Sequence, residues 1–258
     1  MTHSAPDAYG PIVHPAPLAV GETFELDAAG ARALSLREVN PKEAFTLRDA
    51  EGTFFRASLT ARGPTGGQAV VYEKMPASPE SPARITLVCA VLARQRMMLV
   101  VQKATELGVV RIVPTLTERS VPADGLPHEK AHAWPGQVVR AVRQCRRASV
   151  PVVDRAETLA AVLASAAWRD ASVRYYLDDR AAKNTGRVTL PAPRDASGTS
   201  NIALATGPEG GFTDTERRML EDTHGVALRL GARVLRAETA VIVGLTLVQH
   251  RLGDLALG

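Results

Sequence analysis

Two short stretches near the C-terminus hold the residues whose types and spacing could do chemistry. The first is Ala203-Leu204-Ala205-Thr206-Gly207-Pro208-Glu209-Gly210-Gly211-Phe212; the second is Leu230-Gly231-Ala232-Arg233-Val234-Leu235-Arg236-Ala237-Glu238-Thr239-Ala240. Gly207, Gly210 and Gly211 have no Cβ, so backbone there can approach a ligand closely and take positive φ. The run is not a dinucleotide fingerprint. It also lacks the Lys-Ser/Thr that follows the last glycine of a phosphate-cradling loop; Phe212 stands there instead. Glu209 adds a negative charge that would repel phosphate. The guest expected is therefore neutral or cationic, lying against backbone amides and carbonyls. A run of this composition also suits a plain tight turn, and the glycines alone do not separate the two readings.

Each stretch must be positioned by the element before it. Asn201 to Ala205 and Val226 to Leu230 are short apolar runs that predict buried strands. Each stops at glycine and opens into a loop that feeds a helix. Thr213 is an N-cap with Glu216 three residues on, the capping-box spacing. A nearly wholly apolar helix is expected from Thr239 to Val248. Two such turns from one parallel sheet open on the same edge, where α/β sheets bind ligands.

Upstream, Ile12 to about Glu73 reads as short β-type runs (23–26, 44–48, 53–59 and 68–72) with one helical stretch, Ala29 to Val39. The breaks at 49–52 and 62–67 read as hairpin connections. Residues 1 to about 10 read as untethered. Pro76-Ala77-Ser78-Pro79-Glu80-Ser81-Pro82 continues neither helix nor central strand and reads as a linker. Strands then alternate with helices: strand 84–92, helix 97–107, strand 110–114, a long helix from about 129 to 148 that Pro135-Gly136 could break, strand 150–153, helix 159–168 and strand 173–177. Residues 180–200 read as a mobile loop. The expected domains are 1–75, a linker at 76–83, and 84–258. The alternation implies a parallel sheet covered on both faces, and periodicity alone would make it an unknotted doubly wound fold.

The two loops, together with Gln102-Lys103-Ala104-Thr105-Glu106-Leu107-Gly108-Val109, Ile112-Val113-Pro114 and Thr117-Glu118-Arg119-Ser120, resemble the RsmE family in order and spacing. His14-Pro15, Gln144-Cys145, Val150-Pro151 and Gly253-Asp254-Leu255 extend the resemblance over nearly the whole chain. That family comprises uridine N3-methyltransferases of small-subunit (16S) ribosomal RNA, in the SPOUT class. The resemblance implies an α/β SPOUT-type C-terminal domain with a trefoil knot holding S-adenosylmethionine (SAM), an N-terminal PUA-like RNA-binding β-barrel, and a homodimer. It carries cofactor contacts onto Leu116, Thr206, Gly207, Pro208, Gly210, Gly211, Leu230, Gly231, Val234, Leu235, Arg236 and Thr239.

Uridine N3 is a poor nucleophile until its proton leaves, so the site needs a proton route and a positive group for charge spreading onto O2 and O4. The resemblance puts Arg236 first for that group; a structural ion pair with Glu238 is the other reading. Glu238 or Glu209 could accept the proton, and cationic surroundings could make a base unnecessary. Arg119 could hold the target phosphate or base, or form a surface salt bridge. Three departures stand out: the Lys-Gly-acidic turn is missing around Ala93-Arg94-Gln95-Arg96, Arg143 and Arg146 replace Glu and Gly, and Arg32-Ala33-Leu34-Ser35-Leu36-Arg37 lacks the family's His. Rival readings are the same chemistry on another RNA or base atom, and a non-catalytic RNA-binding or ribosome-assembly factor. Retention of Glu209, Arg236 and Glu238 speaks against the scaffold.

Independently of the family, helical projection of 137–149 places Val138, Val142, Cys145 and Ser149 on one face. Arg140, Arg143 and Arg147 fall opposite, with Arg146 at the flank. This face either meets RNA phosphate, with Arg32, Arg37, Arg48 and Arg56 continuing the track, or is simply solvated. The chain's 258 residues, 45% hydrophobic and 22% charged, are globular in composition, and a formal charge of +4 accommodates RNA without requiring it. Only five basic residues are lysine. Cys89 and Cys145 are too few for a metal cage or disulfide framework. No signal peptide is apparent, and Ala240 to Val248 falls short of the roughly 20 residues a membrane span needs. A cytoplasmic protein without metal or membrane is expected. The Thr239–Val248 helix, apolar nearly all round, is either a subunit interface or fully internal.

Overall fold

The computed structural model describes residues 9–63, 66–181 and 200–255. Residues 1–8 and most of the 180–200 loop lie outside that range, as do residues 64 and 65 of the 62–67 connection. The chain forms two compact units, Met1–Glu80 with Val138–Pro151 and Ser81–Gln137 with Val152–Gly258.

The first unit contains β1 (Ile12–Val13), β2 (Thr23–Leu26), α1 (Ala28–Leu36), β3 (Ala44–Arg48), β4 (Phe54–Arg62) and β5 (Gly67–Lys74), in the sheet order β1-β3-β4-β5-β2. All pairs are antiparallel except β1 with β3. The sheet curls round Phe24, Leu26, Phe45, Leu47, Phe55, Leu59 and Val71, with Leu34 of α1 in the same core. No strand pairing joins β1 to β2 among the described residues, but the His14 and Phe24 rings meet edge-on at 5.1 Å and bring the two edges together.

Residues 138–151, expected in the second domain, pack with this first unit. Backbone groups are what hold them: Arg37 Nη2 donates to Ala148 O at 2.7 Å, and Thr46 Oγ1 donates to Arg146 O at 2.9 Å. Helical periodicity identifies a buried face but not the core that buries it.

The second unit is built on β6 (Ala83–Ala90), α2 (Arg94–Glu106), β7 (Val109–Leu116), α3 (Trp134–Cys145, of which only the first turn counts here), β8 (Val152–Val153), β9 (Glu157–Thr158), α4 (Leu159–Ala164), α5 (Ala166–Arg169), β10 (Val173–Leu177), β11 (Ser200–Thr206), α6 (Asp214–Asp222), β12 (Val226–Leu228) and α7 (Ala237–Leu252). The sheet runs β12-β10-β11-β6-β7-β8, with β9 on β7, and every pairing is parallel. Central strands β6 and β11 are buried almost residue by residue, as a sheet covered on both faces requires. One face packs Val88, Val113, Ala203 and Ala205 against Leu163, Trp168, Phe212 and Leu220; α2 and α7 pack together, against β7 and β11 respectively.

Three helices differ from expectation for local reasons. Pro135 lies in the first turn of α3, where a missing N–H is harmless, so it opens the helix instead of breaking it. Ser165, in extended conformation, splits the expected 159–168 helix into α4 and α5. Finally, α7 runs past Val248 because Gln249, fully buried, is satisfied: its Nε2 donates to Leu107 O at 2.6 Å and its Oε1 accepts from Ser81 Oγ at 2.7 Å.

The capping box of α6 has a second duty. Glu216 Oε2 accepts from Thr213 N at 2.9 Å, while Oε1 accepts from Glu118 N at 2.8 Å and pins the loop after β7. Glu216→Ala is expected to cost about 2–3 kcal/mol, since it strands two donors and removes half the cap. Denaturant midpoints with an unchanged slope would check it, Glu216→Gln retaining part of the loss.

Candidate active site

Both loops open at the C-terminal edge of the sheet, and between them lies a cleft of about 490 Å³. The first loop is a tight turn, with Gly211 N donating to Pro208 O at 2.9 Å and Gly211 at φ +66°. Phe212 then drives its ring into the core against Tyr176, at 6.3 Å and nearly perpendicular. A Cβ on Gly207 would stand 3.2 Å from Phe212 N, a tight contact that the turn would have to give way to accept. Opposite, Gly231 at φ +97° lets the second loop fold back, with Arg229 Nε donating to Gly231 O.

Of the expected cofactor contacts, Thr206, Gly207, Pro208, Gly210, Gly211, Leu230, Gly231, Val234, Leu235 and Arg236 line the cleft. Leu116 does not: it ends β7, two strands away from β11 in the sheet, and pairs beside β9. Thr239 does not either. It is exposed in the first turn of α7, and Ala237 and Ala240 are the residues of that turn that face the cleft.

The charged residues do not pair as the ion-pair reading expected. Arg236 caps α7 in extended conformation on the cleft wall. Among the described residues its guanidinium makes no hydrogen bond or ion pair, so the pairing with Glu238 is not formed. Glu238 instead faces Arg96, with Oε2 3.9 Å from Arg96 Nε; that oxygen is buried and accepts no hydrogen bond. Arg96 Nη1 also donates to Glu209 Oε1 at 2.5 Å. One guanidinium from α2 thus bridges the acids of both loops. Sequence reasoning saw Arg96 only as part of a departure. Arg119 is a buttress: its Nη1 donates to Gly210 O at 2.7 Å and its stem covers the face of that glycine, outside the cleft.

The rim was missed altogether. Arg217 of α6 donates to Phe212 O at 2.9 Å, bonds Asp214 and stands 3.7 Å from Asp178 at the end of β10. The hydrogen bond from Arg217 holds the Asp214 carboxyl below its usual range. Behind the cleft, desolvation pushes the Cys89 thiol up to about 11, so it stays protonated and is no nucleophile. Among the described residues no cluster of three His, Cys, Asp or Glu could hold a metal, and no helix is long and apolar enough to cross a membrane.

In the first unit the six arginines expected to meet RNA separate. Arg32, Arg140 and Arg146 are exposed and Arg143 is half-buried, in an ion pair with Glu43. Arg37 and Arg147 are buried. Arg37 donates to Ala33 O, Gly10 O and Ala148 O, and burial lowers it to about 10. Arg147 leaves the basic face because α3 ends at Cys145 and Arg146 takes φ +62°; the reversal turns Arg147 inward onto Glu80 at 2.7 Å.

The model of the RNA methyltransferase domain family matches residues 79–249, which include both loops and every residue of the acid-bridging arrangement. Ribosomal RNA small subunit methyltransferase E of Mycobacterium bovis is 30% identical over 230 residues, 84% of this chain and 81% of that protein. The chain belongs to the RsmE family. A solved RsmE structure, Ribosomal RNA small subunit methyltransferase E from Neisseria gonorrhoeae bound to S-adenosyl methionine, is 28% identical with a TM-score of 0.64, the match covering 96% of this chain and 100% of that one. A Legionella pneumophila structure in complex with the bound cofactor SAM is 29% identical with a TM-score of 0.65, covering 95% and 98%.

Proposed function

We propose that the protein methylates N3 of a uridine in 16S RNA of the small ribosomal subunit, using SAM held in the cleft between the two loops. The observation that carries this reading is the cleft itself, with a guanidinium on its wall that no described residue pairs, in a chain of the RsmE family. The residues fit the cofactor. The volume suits a nucleoside-sized ligand, and a Cβ at Gly211 or Gly231 would project into open space. Asp178, Asp179 and Glu209 put carboxylates on the wall that a cationic guest can meet, among six arginines.

SAM supplies, when bound, a methyl group on a positively charged sulfur. The protein's part is to hold the uridine in line with that methyl, keep water out and manage one proton. Arg236 is the group we assign to the negative charge that spreads over O2 and O4 as N3 loses its proton. Glu209, the acid on the cleft wall, is assigned that proton, and Glu238, facing Arg96, fixes the second loop. Arg119 keeps the first loop in place. We further propose that α7 is drawn through a trefoil knot, that the first unit is a PUA-like barrel contacting RNA, and that the enzyme works in the cytoplasm as a homodimer. Support for the dimer comes from α7, which leaves Leu247 47% exposed and Ile242 and Val243 half-buried. Sedimentation as a clean monomer at micromolar concentration would remove it.

The deciding experiment is methylation of unmodified small subunits, with mass spectrometry locating the new methyl group on uridine N3. Methylation at another atom would leave the enzyme class and overturn the target. Arg96 gives a separate prediction. Arg96→Ala is expected to weaken SAM binding about tenfold, with Glu209→Gln adding little to that binding loss in the double variant because both remove one coupled pair. Simple multiplication of the two losses would mean the bridge is idle.

A further inference from the structure

A second cleft lies wholly within the first unit. It has a volume of about 430 Å³ and is lined by Glu43, Ala44, Arg56, Arg140, Arg143 and Gln144. Three guanidinium groups meet a single carboxylate there, so the cleft is basic. Arg56 forms its fixed floor: it is 7% exposed, its Nη1 donates to Thr46 Oγ1 at 2.8 Å and its Nε donates to Tyr72 OH at 3.2 Å. That last bond anchors an aromatic ring beside the cleft, yet Tyr72 is 46% exposed, the most exposed aromatic ring among the buried and exposed large apolar residues of this unit. Nothing in the methyl-transfer chemistry uses any of these residues.

We propose that this cleft binds one unpaired nucleotide of the substrate RNA, with the base stacked on Tyr72 and the phosphate held by Arg140 and Arg143. The proposal rests on the reading of the protein as an RNA methyltransferase and names where the RNA is gripped away from the reacting base. The chemistry is specific to that ligand. An arginine fork matches phosphate oxygens in pairs, and an exposed ring next to it offers a flat surface that any splayed base can cover. Bases within an A-form duplex are already stacked and cannot reach such a ring, so the cleft selects single-stranded or looped RNA. The Arg143–Glu43 pair is half exposed at both ends, and such pairs are weak enough to be exchanged for phosphate. Arg56, held from two sides, keeps positive charge at the floor throughout.

The test uses the full-length protein, fluorescence anisotropy with a labelled single-stranded oligoribonucleotide and a hairpin duplex, and calorimetry with SAM on the same samples. Tyr72→Ala is expected to weaken single-strand binding about tenfold, and Tyr72→Phe, which keeps the ring, to stay within about threefold of wild type. Arg140→Ala should lower the slope of log affinity against log salt by about 0.7–1, the release of one phosphate contact. Duplex affinity should not respond to Tyr72→Ala, and SAM binding should be retained in every variant. The proposal is overturned if wild type does not bind the single strand, if Tyr72→Ala binds it as wild type does, or if strand and duplex weaken alike. It is overturned too if the variants lose affinity for assembled subunits but not for naked RNA, because the cleft would then meet protein. A wild-type enzyme that binds no SAM and transfers no methyl group would instead sink the functional reading, an outcome the anisotropy arms report separately.

Discussion

Replacing Arg236 with alanine is expected to lower the turnover of methyl transfer about a hundred- to a thousandfold, the loss seen when a donor aimed at developing charge is removed. SAM affinity should change by less than about threefold, because the expected contacts to the cofactor are backbone ones and Arg236 adds a side chain to the wall only. The geometry behind the figure is that the guanidinium stands on the cleft wall at the start of α7 with no partner among the described residues. An arginine pinned to Glu238 would have had to break an ion pair to reach the base; this one does not. Two further readouts separate charge stabilisation from packing. Arg236→Lys should recover only part of the loss, since a point charge cannot span two oxygens as a planar fork does. The rate of the alanine variant should also climb with pH, because hydroxide then does what the missing cation did in favouring ionised N3. Collapse of SAM binding with normal turnover at saturation would show that Arg236 serves the cofactor and not the base.

The cleft between the two loops was legible in the sequence, and its wiring was not. Glycine runs that stop apolar strands mark the open edge of a parallel sheet, because backbone conformation at Gly211 and Gly231 is a local property. The capping box at Thr213 and Glu216 is equally local, and so is β10, whose bounds match the expected 173–177. What failed was whatever depended on partners distant in the chain. Arg96 and Glu209 are separated by more than a hundred residues, and no spacing rule joins them. Two-residue strands such as β1 and β9 carry too little periodicity to be seen. Leu116 was carried into the cleft by the family resemblance, whereas sheet order, which a sequence does not print, put two strand widths between β7 and β11. The basic helix failed at a single residue: a helical wheel assumes that the helix continues, and positive φ at Arg146 ended it.

That single residue leads to the largest stability effect expected in the first unit. Glu80→Ala should destabilise it by about 3–5 kcal/mol, the cost of removing the carboxylate that faces a buried charge. The Glu80 carboxylate accepts from Arg147 Nε and Nη2 at 3.2 and 2.7 Å and from Ala148 N and Ser149 N at 2.8 and 2.9 Å. The Arg147 side chain is only 3% exposed, so water cannot replace the lost acceptor. Glu80→Gln keeps an acceptor but not the charge and should fall between. Adding Arg147→Met to Glu80→Ala should recover much of the loss, because an apolar residue of similar length needs no counter-ion. Denaturant unfolding followed by circular dichroism measures all three. A loss below about 1 kcal/mol for Glu80→Ala would mean that Arg147 reaches solvent easily, and would return it to the set of arginines able to touch RNA. The expected result instead assigns Arg147 to the fold, and leaves RNA contact to the arginines that remain outside.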